Sequence, residues 1–433
     1  MATVNKRTWS SKTDDGKQST HVRWDAQIYF GRGATGRART IMKTFRREGD
    51  AKQWAREQEV HRVQSGLGPP TQETFAVYLR HWLDVKAGEV RARTLSDYTD
   101  TLFRYVLPRI PSDPARRPEP PADAPRLGGV RLDKLNAKTL EVLYNWMREH
   151  AKSRRTIRAL HKILSQALKA AARKGIIVRN WAELADVPKP KDRSAEIEDD
   201  TVVRAMTKEQ AEAFLAAARL DRLSALWHVL LLGGLRPGEA LGLKWSDVDF
   251  DERRVHVVRS LCRVKRIKGW QLTPPKTKKS RRSVPLPLVA MAELRTWKRR
   301  QAEERLALGP EWQDHGFVFT THQGAPLELS NVRGSSFRWI MAKAGLGEWG
   351  PEPAKPRSGP TRRRPFTPAF RVYDLRHTCA TLLLLAGVSL KVVSERLGHA
   401  SIVLTADTYS HVLPTMQEEA TDKLEVMFGG GVK

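Results

Sequence analysis

The sequence predicts a mainly α chain with small β elements, an α+β fold in three domains, the last mostly helical with a small antiparallel sheet. Three observations predict it. Val22, Trp24, Ala26, Ile28 and Phe30 are apolar on strict alternation, the period of a strand with one buried face. Between Phe75 and Ala171 apolar residues recur at helical spacing. Beyond Thr201 helical stripes are interspersed with two short β patterns. A chain of 433 residues suits several domains, at roughly 100–200 residues for each.

Taken in order, His21–Phe30 reads as a strand, Gly31, Gly33 and Gly36 as a turn, and a second basic strand runs through Phe45. Asp50 opens a helix over Ala51–Val63. This β-β-α unit gathers Arg32, Arg37, Arg39, Lys43, Arg46 and Arg47 near its sheet. Such cations either protect a solvated edge from aggregation or contact a polyanion, and the basicity of the whole chain favours contact. Gly66, Gly68, Pro69 and Pro70 mark a linker. Phe75, Tyr78, Leu79, Trp82 and Leu83 form a core-facing stripe. Tyr98, Leu102, Tyr105 and Val106 mark a second helix, ending near Pro108. Pro111–Pro125 is an exposed excursion. Leu140, Leu143, Tyr144 and Met147 mark a third helix, and Ile157, Leu160, Leu164, Leu168 and Ala171 a fourth, with Gly175 as its C-cap. Val187–Asp200 reads as an interdomain linker. Helices over Ala211–Ala217 and Ala225–Leu232 then precede a hairpin of Val255–Arg263 with Arg281–Pro287. Further helices run to about Leu413, interrupted by a Pro- and Arg-rich loop, Pro351–Pro368.

Charge narrows the partner. Lys and Arg number 76 against 48 Asp and Glu, a formal charge of +28, which favours nucleic acid or an anionic membrane. No segment approaches the ~18 uninterrupted apolar residues of a membrane span, and Met1–Gln18 lacks the apolar stretch of a secretory signal. Two cysteines, Cys262 and Cys379, argue against a disulfide framework and fit a reducing compartment. Nucleic acid in the cytoplasm is the reading these features favour.

Five segments hold chemistry. In Leu235-Arg236-Pro237-Gly238-Glu239, Pro237 suits the first position of a helix, which projects Arg236 at a helix N-terminus where an anion is favoured. Glu239 can hold that guanidinium or cap the first turn. Pro275-Lys276-Thr277-Lys278-Lys279-Ser280-Arg281 places a basic run beside the second strand; Lys278, Lys279 and Arg281 suit phosphate tracking, and one lysine can protonate a leaving oxygen. Asp374-Leu375-Arg376-His377-Thr378 supplies a second arginine, which phosphoryl transfer uses to neutralise non-bridging oxygens. Leu397-Gly398-His399-Ala400-Ser401 ends a helix capped by Ser389. Thr405-Ala406-Asp407-Thr408-Tyr409-Ser410-His411 brings an isolated tyrosine. Taken singly, Tyr409 reads as a packing residue and His399 as a turn histidine. His377, Cys379, His399 and His411 match no common zinc spacing, so no metal site is expected.

The order of Arg236, Lys276, Arg376, His399 and Tyr409 within one region resembles the phage-integrase, or tyrosine recombinase, family, strongly from about Met206 to His411. Thr71–Pro188 looks like the family's helical core-DNA-binding (SAM-like) domain, and the β-β-α unit is similar to the arm-site-binding domain of larger phage integrases. The organisation expected is thus an arm-type domain over 1–66, a core-binding domain over 71–188, a catalytic domain over 201–414 and a tail over 415–433. One position departs from the pattern: Tyr373 stands where the family usually has a histidine, three residues before the second arginine. A phenol can still bond a phosphate oxygen or the nucleophile's surroundings, but it does not cycle a proton near neutral pH. His377, next to Arg376, is not given the missing role on sequence grounds.

The resemblance implies that Tyr409 attacks a scissile phosphate in line, giving a 3′-phosphotyrosine and a free 5′-hydroxyl. Arg236 and Arg376 would clamp the non-bridging oxygens, Lys276 would protonate the leaving oxygen, and His399 would bond the phosphate and take the tyrosine's proton. The bond energy stays in the covalent link, so neither ATP, a cofactor nor a metal is called for. The partners implied are double-stranded DNA, a homotetramer on paired sites, and a directionality factor or DNA-bending host protein, in a bacterial cytoplasm and away from any membrane. Two other readings remain: a type IB-like topoisomerase with the same cleavage chemistry, and a DNA-binding accessory protein with impaired catalysis.

Overall fold

Alternation builds the first sheet. Strands β1 (Ala2–Lys12), β2 (Gln18–Arg32) and β3 (Ala38–Phe45) lie antiparallel in the order β1-β2-β3, and helix α1 (Glu48–Ser65) covers one face. Ala26 of β2 packs with Ala51 and Ala55 of α1, flanked by Val4, Trp24, Phe45 and Trp54. The sequence predicts two strands here, and the structure has three. β1 escapes the alternation rule because, among its described side chains, Val4 alone joins this cluster, so its two faces do not differ enough in polarity to show a period of two. On the face away from α1 the register sets Arg7 opposite Arg23 and Trp9 opposite His21.

The computed structural model describes residues 2–12, 18–32, 38–65, 72–108, 119–188, 203–264, 267, 269–274, 280–351, 364–410, 421–422 and 424–428. Two compact units divide the chain, Met1–Lys191 and Asp192–Lys433. The first unit also contains a helical cluster with a core of its own: α2 (Phe75–Ala87), α3 (Ala92–Tyr105), α4 (Ala137–Glu149) and α5 (Arg154–Arg173). Each predicted stripe is buried there, Phe75, Leu79, Leu102, Leu140 and Leu164 among its residues. Asn136 and Thr139 form a capping box at the start of α4, and Gly175 follows α5 at φ +66°.

In the second unit, α6 (Lys208–Ala218) packs on α7 (Ser224–Gly233), a mostly apolar helix buried around nearly its whole circumference and therefore central. Trp227 sits there against Phe214 and Phe337. Gly234 ends α7 in the left-handed conformation and lets the chain turn into the five-residue helix α8 (Pro237–Leu241), with Pro237 at its first position. The expected hairpin is two ribbons. β4 (Val248–Asp249), β5 (Arg254–Val257) and β8 (Arg282–Pro285) form one antiparallel sheet, while β6 (Ser260–Cys262) and β7 (Gln271–Thr273) pair separately. The long helix α9 (Leu288–Leu308) turns Met291, Leu294, Trp297 and Gln301 inward.

Helices α10 (Leu329–Val332) and α11 (Arg338–Lys343) lead to a small ribbon of β9 (Gly347–Trp349) and β10 (Phe366–Pro368). The end of the predicted loop Pro351–Pro368 is thus a strand, because Phe366 is buried and pairs with Trp349. Helices α12 (Asp374–Leu385), α13 (Leu390–Leu397) and α14 (Ile402–Thr408) follow. Ala380, Leu384, Val393, Leu397 and Tyr409 form a cluster between them. The mainly helical fold with small antiparallel sheets is the predicted class. No helix among the described residues is long and apolar enough to cross a membrane.

His228 on α7 is fully buried; its Nδ1 bonds the Ser224 carbonyl at 2.9 Å, and its Nε2 has no hydrogen-bond partner among the described residues. Burial lowers its pKa, so the folded state keeps the ring neutral. An unfolded histidine titrates near ~6.5, so stability is fully present above that value and is lost as pH falls through the lower folded pKa. We expect His228→Leu to flatten the loss of Tm between pH 7.5 and pH 5; an unaltered slope in thermal melts would count against this.

Candidate active site

Four of the five predicted catalytic residues are described, and each is placed by a different local device. Arg236 stands at the N-cap of α8. Its backbone N–H donates to Glu239 Oε2 at 2.9 Å and its Nη1 donates to Glu239 Oε1 at 2.7 Å. Glu239 therefore does both things the sequence offers: it caps the turn and holds the guanidinium. It also accepts from Arg282 Nη2 at 3.0 Å. Burial alone would raise the Glu239 pKa, but Arg282 and Arg236 outweigh it and hold the carboxyl below its ordinary value.

Arg376 occupies the first turn of α12 and is 1% exposed. Its Nη1 donates to the Gly234 carbonyl at 2.8 Å and its Nη2 to the Leu397 carbonyl at 2.6 Å. One buried side chain thereby joins the end of α7, the end of α13 and its own helix. Burial, with Arg236 as a further like charge, pushes its pKa down to about 10, so it remains a cation at neutral pH.

Gly398 closes α13 at φ +66°, where its missing Cβ would lie 3.0 Å from Arg282 Cδ. That turn presents His399, whose Nδ1 lies 2.8 Å from the Thr405 hydroxyl oxygen. Burial, then Arg376, Arg236 and Arg282, push the His399 pKa down to about 4, so the ring is neutral at physiological pH. Tyr409 follows α14 as its C-cap and is 1% exposed. Its hydroxyl lies 3.0 Å from His377 Nδ1. Burial raises its pKa, with Arg376 acting in the opposite direction.

Tyr373, at the N-cap of α12, is 42% exposed, and its ring meets His377 edge-on at 5.3 Å between centroids. Lys276 lies outside the described residues, as do Arg37, Lys278, Lys279 and His411; for Arg32 and Arg39 the backbone alone, in β2 and β3, is described. Arg281 is exposed, immediately before β8. Lys43 is exposed too, with Nζ 5.5 Å from the Phe45 ring centroid. Its register partner is Ala26, which puts it on the α1 side of the sheet. Among the described residues no group of three or more His, Cys, Asp or Glu could hold a metal ion.

Two residues of the site were missed. Arg282 shares the inward parity of Val284 and Leu286, so strand alternation placed a cation on the buried face. His377 lies four residues after Tyr373 and so on the same helix face, but nothing in sequence connects it to a tyrosine 32 positions away.

Removing the carboxylate tests the electrostatics. Glu239→Ala leaves Arg282, itself buried, without its counter-charge, and breaking a buried pair costs about 3–5 kcal/mol. Urea denaturation at pH 7 should show a loss of that order, with Glu239→Gln intermediate. The stability Glu239 contributes is present above the usual carboxylate range and is lost as pH falls through its lower folded pKa, so the deficit should shrink in acid.

The phage integrase family profile matches residues 204–416. A tyrosine recombinase XerC-like protein of Caldanaerobacter subterraneus is 31% identical over 312 residues, covering 70% of this chain and 74% of its own length. An integrase of Streptomyces ambofaciens is 29% identical over 366 residues, 81% of this chain and 80% of its own. Among solved structures, the Tn1549 transposon integrase in complex with a circular intermediate DNA aligns with a TM-score of 0.57 at 20% identity, over 81% of this chain and all of that one; this likeness is one of fold. With a relative of that identity and coverage, and with the arginines, histidine and tyrosine of the motif gathered in one unit, the chain belongs to the phage integrase family, the tyrosine recombinases.

Proposed function

We propose that this recombinase cleaves and rejoins DNA with Tyr409 as its nucleophile, forming a 3′-phosphotyrosyl intermediate during integration or excision of a mobile element. The observation that carries the reading is the surroundings of one hydroxyl: Tyr409 Oη bonds an imidazole, in the field of the Arg376 guanidinium. Among the described residues, Arg236, Arg282 and Arg376 outnumber the one carboxylate among them, Glu239, and a phosphodiester supplies further negative charge. Double-stranded DNA is the partner, in keeping with a charge of +28 and with the DNA-bound fold relative.

In the reaction proposed, Arg236 and Arg376 neutralise the non-bridging oxygens. Lys276 protonates the departing 5′-oxygen. His399, neutral in the free protein, donates one hydrogen bond to the phosphate. The link between phosphorus and the phenolic oxygen conserves the ester, so rejoining is the same reaction reversed. Tyr409 is buried in the free chain, and cleavage therefore requires its hydroxyl to emerge when DNA is bound. Relatives named as integrases favour exchange between two sites over relaxation of one duplex. The test is a gel assay with nicked target DNA: wild type should trap covalent adduct and Tyr409→Phe none, and equal amounts from both would remove the assignment.

We also read the chain as four functional segments, 1–66 for arm sites, 71–188 for the core site, 201–414 for catalysis and 415–433 as a tail, working in the cytoplasm as a tetramer on paired DNA sites. The tail supports this through its surface. Leu424, Val426, Met427 and Phe428 are exposed in a helical stretch, and apolar side chains of that size gain by burial on a neighbour. Deleting residues 415–433 should impair synapsis more than binding to a single site; an unchanged assembly state in gel-shift and light-scattering measurements would remove the idea.

A further inference from the structure

We infer that His377 is a catalytic residue of this recombinase, the base that receives the phenolic proton of Tyr409. The inference rests on the reading of Tyr409 as nucleophile and names the group that activates it. The family's usual histidine before the second arginine is absent, and Tyr373 in its place has no ring nitrogen to act as a base. His399 is turned to another task, since its Nδ1 is bonded to Thr405 at 2.8 Å. Among the described residues, the ring in contact with the reacting oxygen is His377, at 3.0 Å from Nδ1, within the reach a general base needs.

Its setting suits proton transfer. His377 is half-buried on α12, next to Arg376 in sequence. Tyr373 packs edge-on against the ring from the same helix, Tyr409 meets it from the end of α14, and His399 lies close enough to feel its charge. Burial makes the Tyr409 phenol a weaker acid than in water, so a partner for its proton is needed at the moment of attack. His399 is a poor partner, being held neutral down to about pH 4.

In the Nε2–H tautomer, His377 Nδ1 presents a lone pair to the Tyr409 O–H. As the tyrosine oxygen bonds to phosphorus, its proton passes to Nδ1, the bond from phosphorus to the 5′-oxygen breaks, and Lys276 gives that oxygen a proton. Rejoining reverses each transfer: the 5′-hydroxyl attacks, the phosphotyrosyl bond breaks, and the imidazolium returns its proton to the phenolate. Edge-on packing from Tyr373 makes that residue a positioning group for the imidazole.

The experiment measures single-turnover adduct formation by the full chain on nicked target DNA across pH 5.5–9. Its variants are His377→Asn, which keeps a polar group near the position of Nδ1, and His377→Gln. DNA binding and Tm are measured alongside, and Tyr409→Phe is the control. The expected result is a loss of about 10²-fold in rate in both variants with binding retained, at the low end of what a positioned base contributes. The rise in rate that follows loss of the imidazole proton should vanish, leaving a rise toward the ionisation of the phenol. A 5′-bridging phosphorothiolate, whose sulfur departs without a proton, should leave the deficit in place.

Wild-type rates and pH profile in either folded variant would overturn the role of His377, and so would rescue by the phosphorothiolate. Adduct from Tyr409→Phe equal to wild type would instead overturn the nucleophile and this role with it. Loss of adduct in Tyr409→Phe beside unchanged His377 variants would leave the nucleophile standing and remove only the base.

Discussion

A shortage of negative charge organises the second unit. Among the described residues, Arg236, Arg282 and Arg376 influence one another electrostatically around a single carboxylate, Glu239, which bonds the first two directly. A buried cation without a counter-charge is costly unless hydrogen bonds replace its water. Arg376 therefore takes the carbonyls of Gly234 and Leu397, and those two carbonyls are free to accept because each lies at the end of a helix. The left-handed glycines Gly234 and Gly398 stand at the same two ends. Helix length, turn chemistry and charge are thus one arrangement. The depressed pKa of His399 is a consequence of it, since a proton on that ring would add a further cation to the group.

Such an arrangement separates holding from reacting. Donors aimed at a phosphate must be in position before the phosphate arrives if they are to stabilise the transition state without rearranging. Here the folding of α7, α12 and α13 positions Arg376, and the first turn of α8 positions Arg236. The core around Trp227 in turn keeps α7 in register. Phe214 and Phe337 pack on Trp227 of this helix, whose end supplies the Gly234 carbonyl that Arg376 uses.

Much of this was legible in sequence because it is local. The helical stripes from Phe75 to Ala171 have a strong period, and Arg236-Pro237-Gly238-Glu239 states its own turn geometry. β1 was not legible, since an edge strand with Val4 alone of its described side chains in the core shows no alternation. The loop ending in β10 was misread because its prolines and arginines mask a single buried aromatic, Phe366. Arg282 was legible in principle, by parity with Val284, yet a cation on an inward face is not expected until its partner, Glu239, is known to be 43 residues upstream. The contact of His377 with Tyr409 belongs to tertiary structure alone, as it depends on how α14 returns to α12.

The seclusion of Tyr409 bears on what the chain does between encounters with its site. A positive charge of this size attracts phosphates without regard to base sequence. On the proposed chemistry, every phosphodiester passed in a search for that site is a potential lesion. On that same proposal, an oxygen packed among Ala380, Leu384, Val393 and Leu397 is withheld from the phosphates passed in the search, and its release becomes the step that separates binding from cutting.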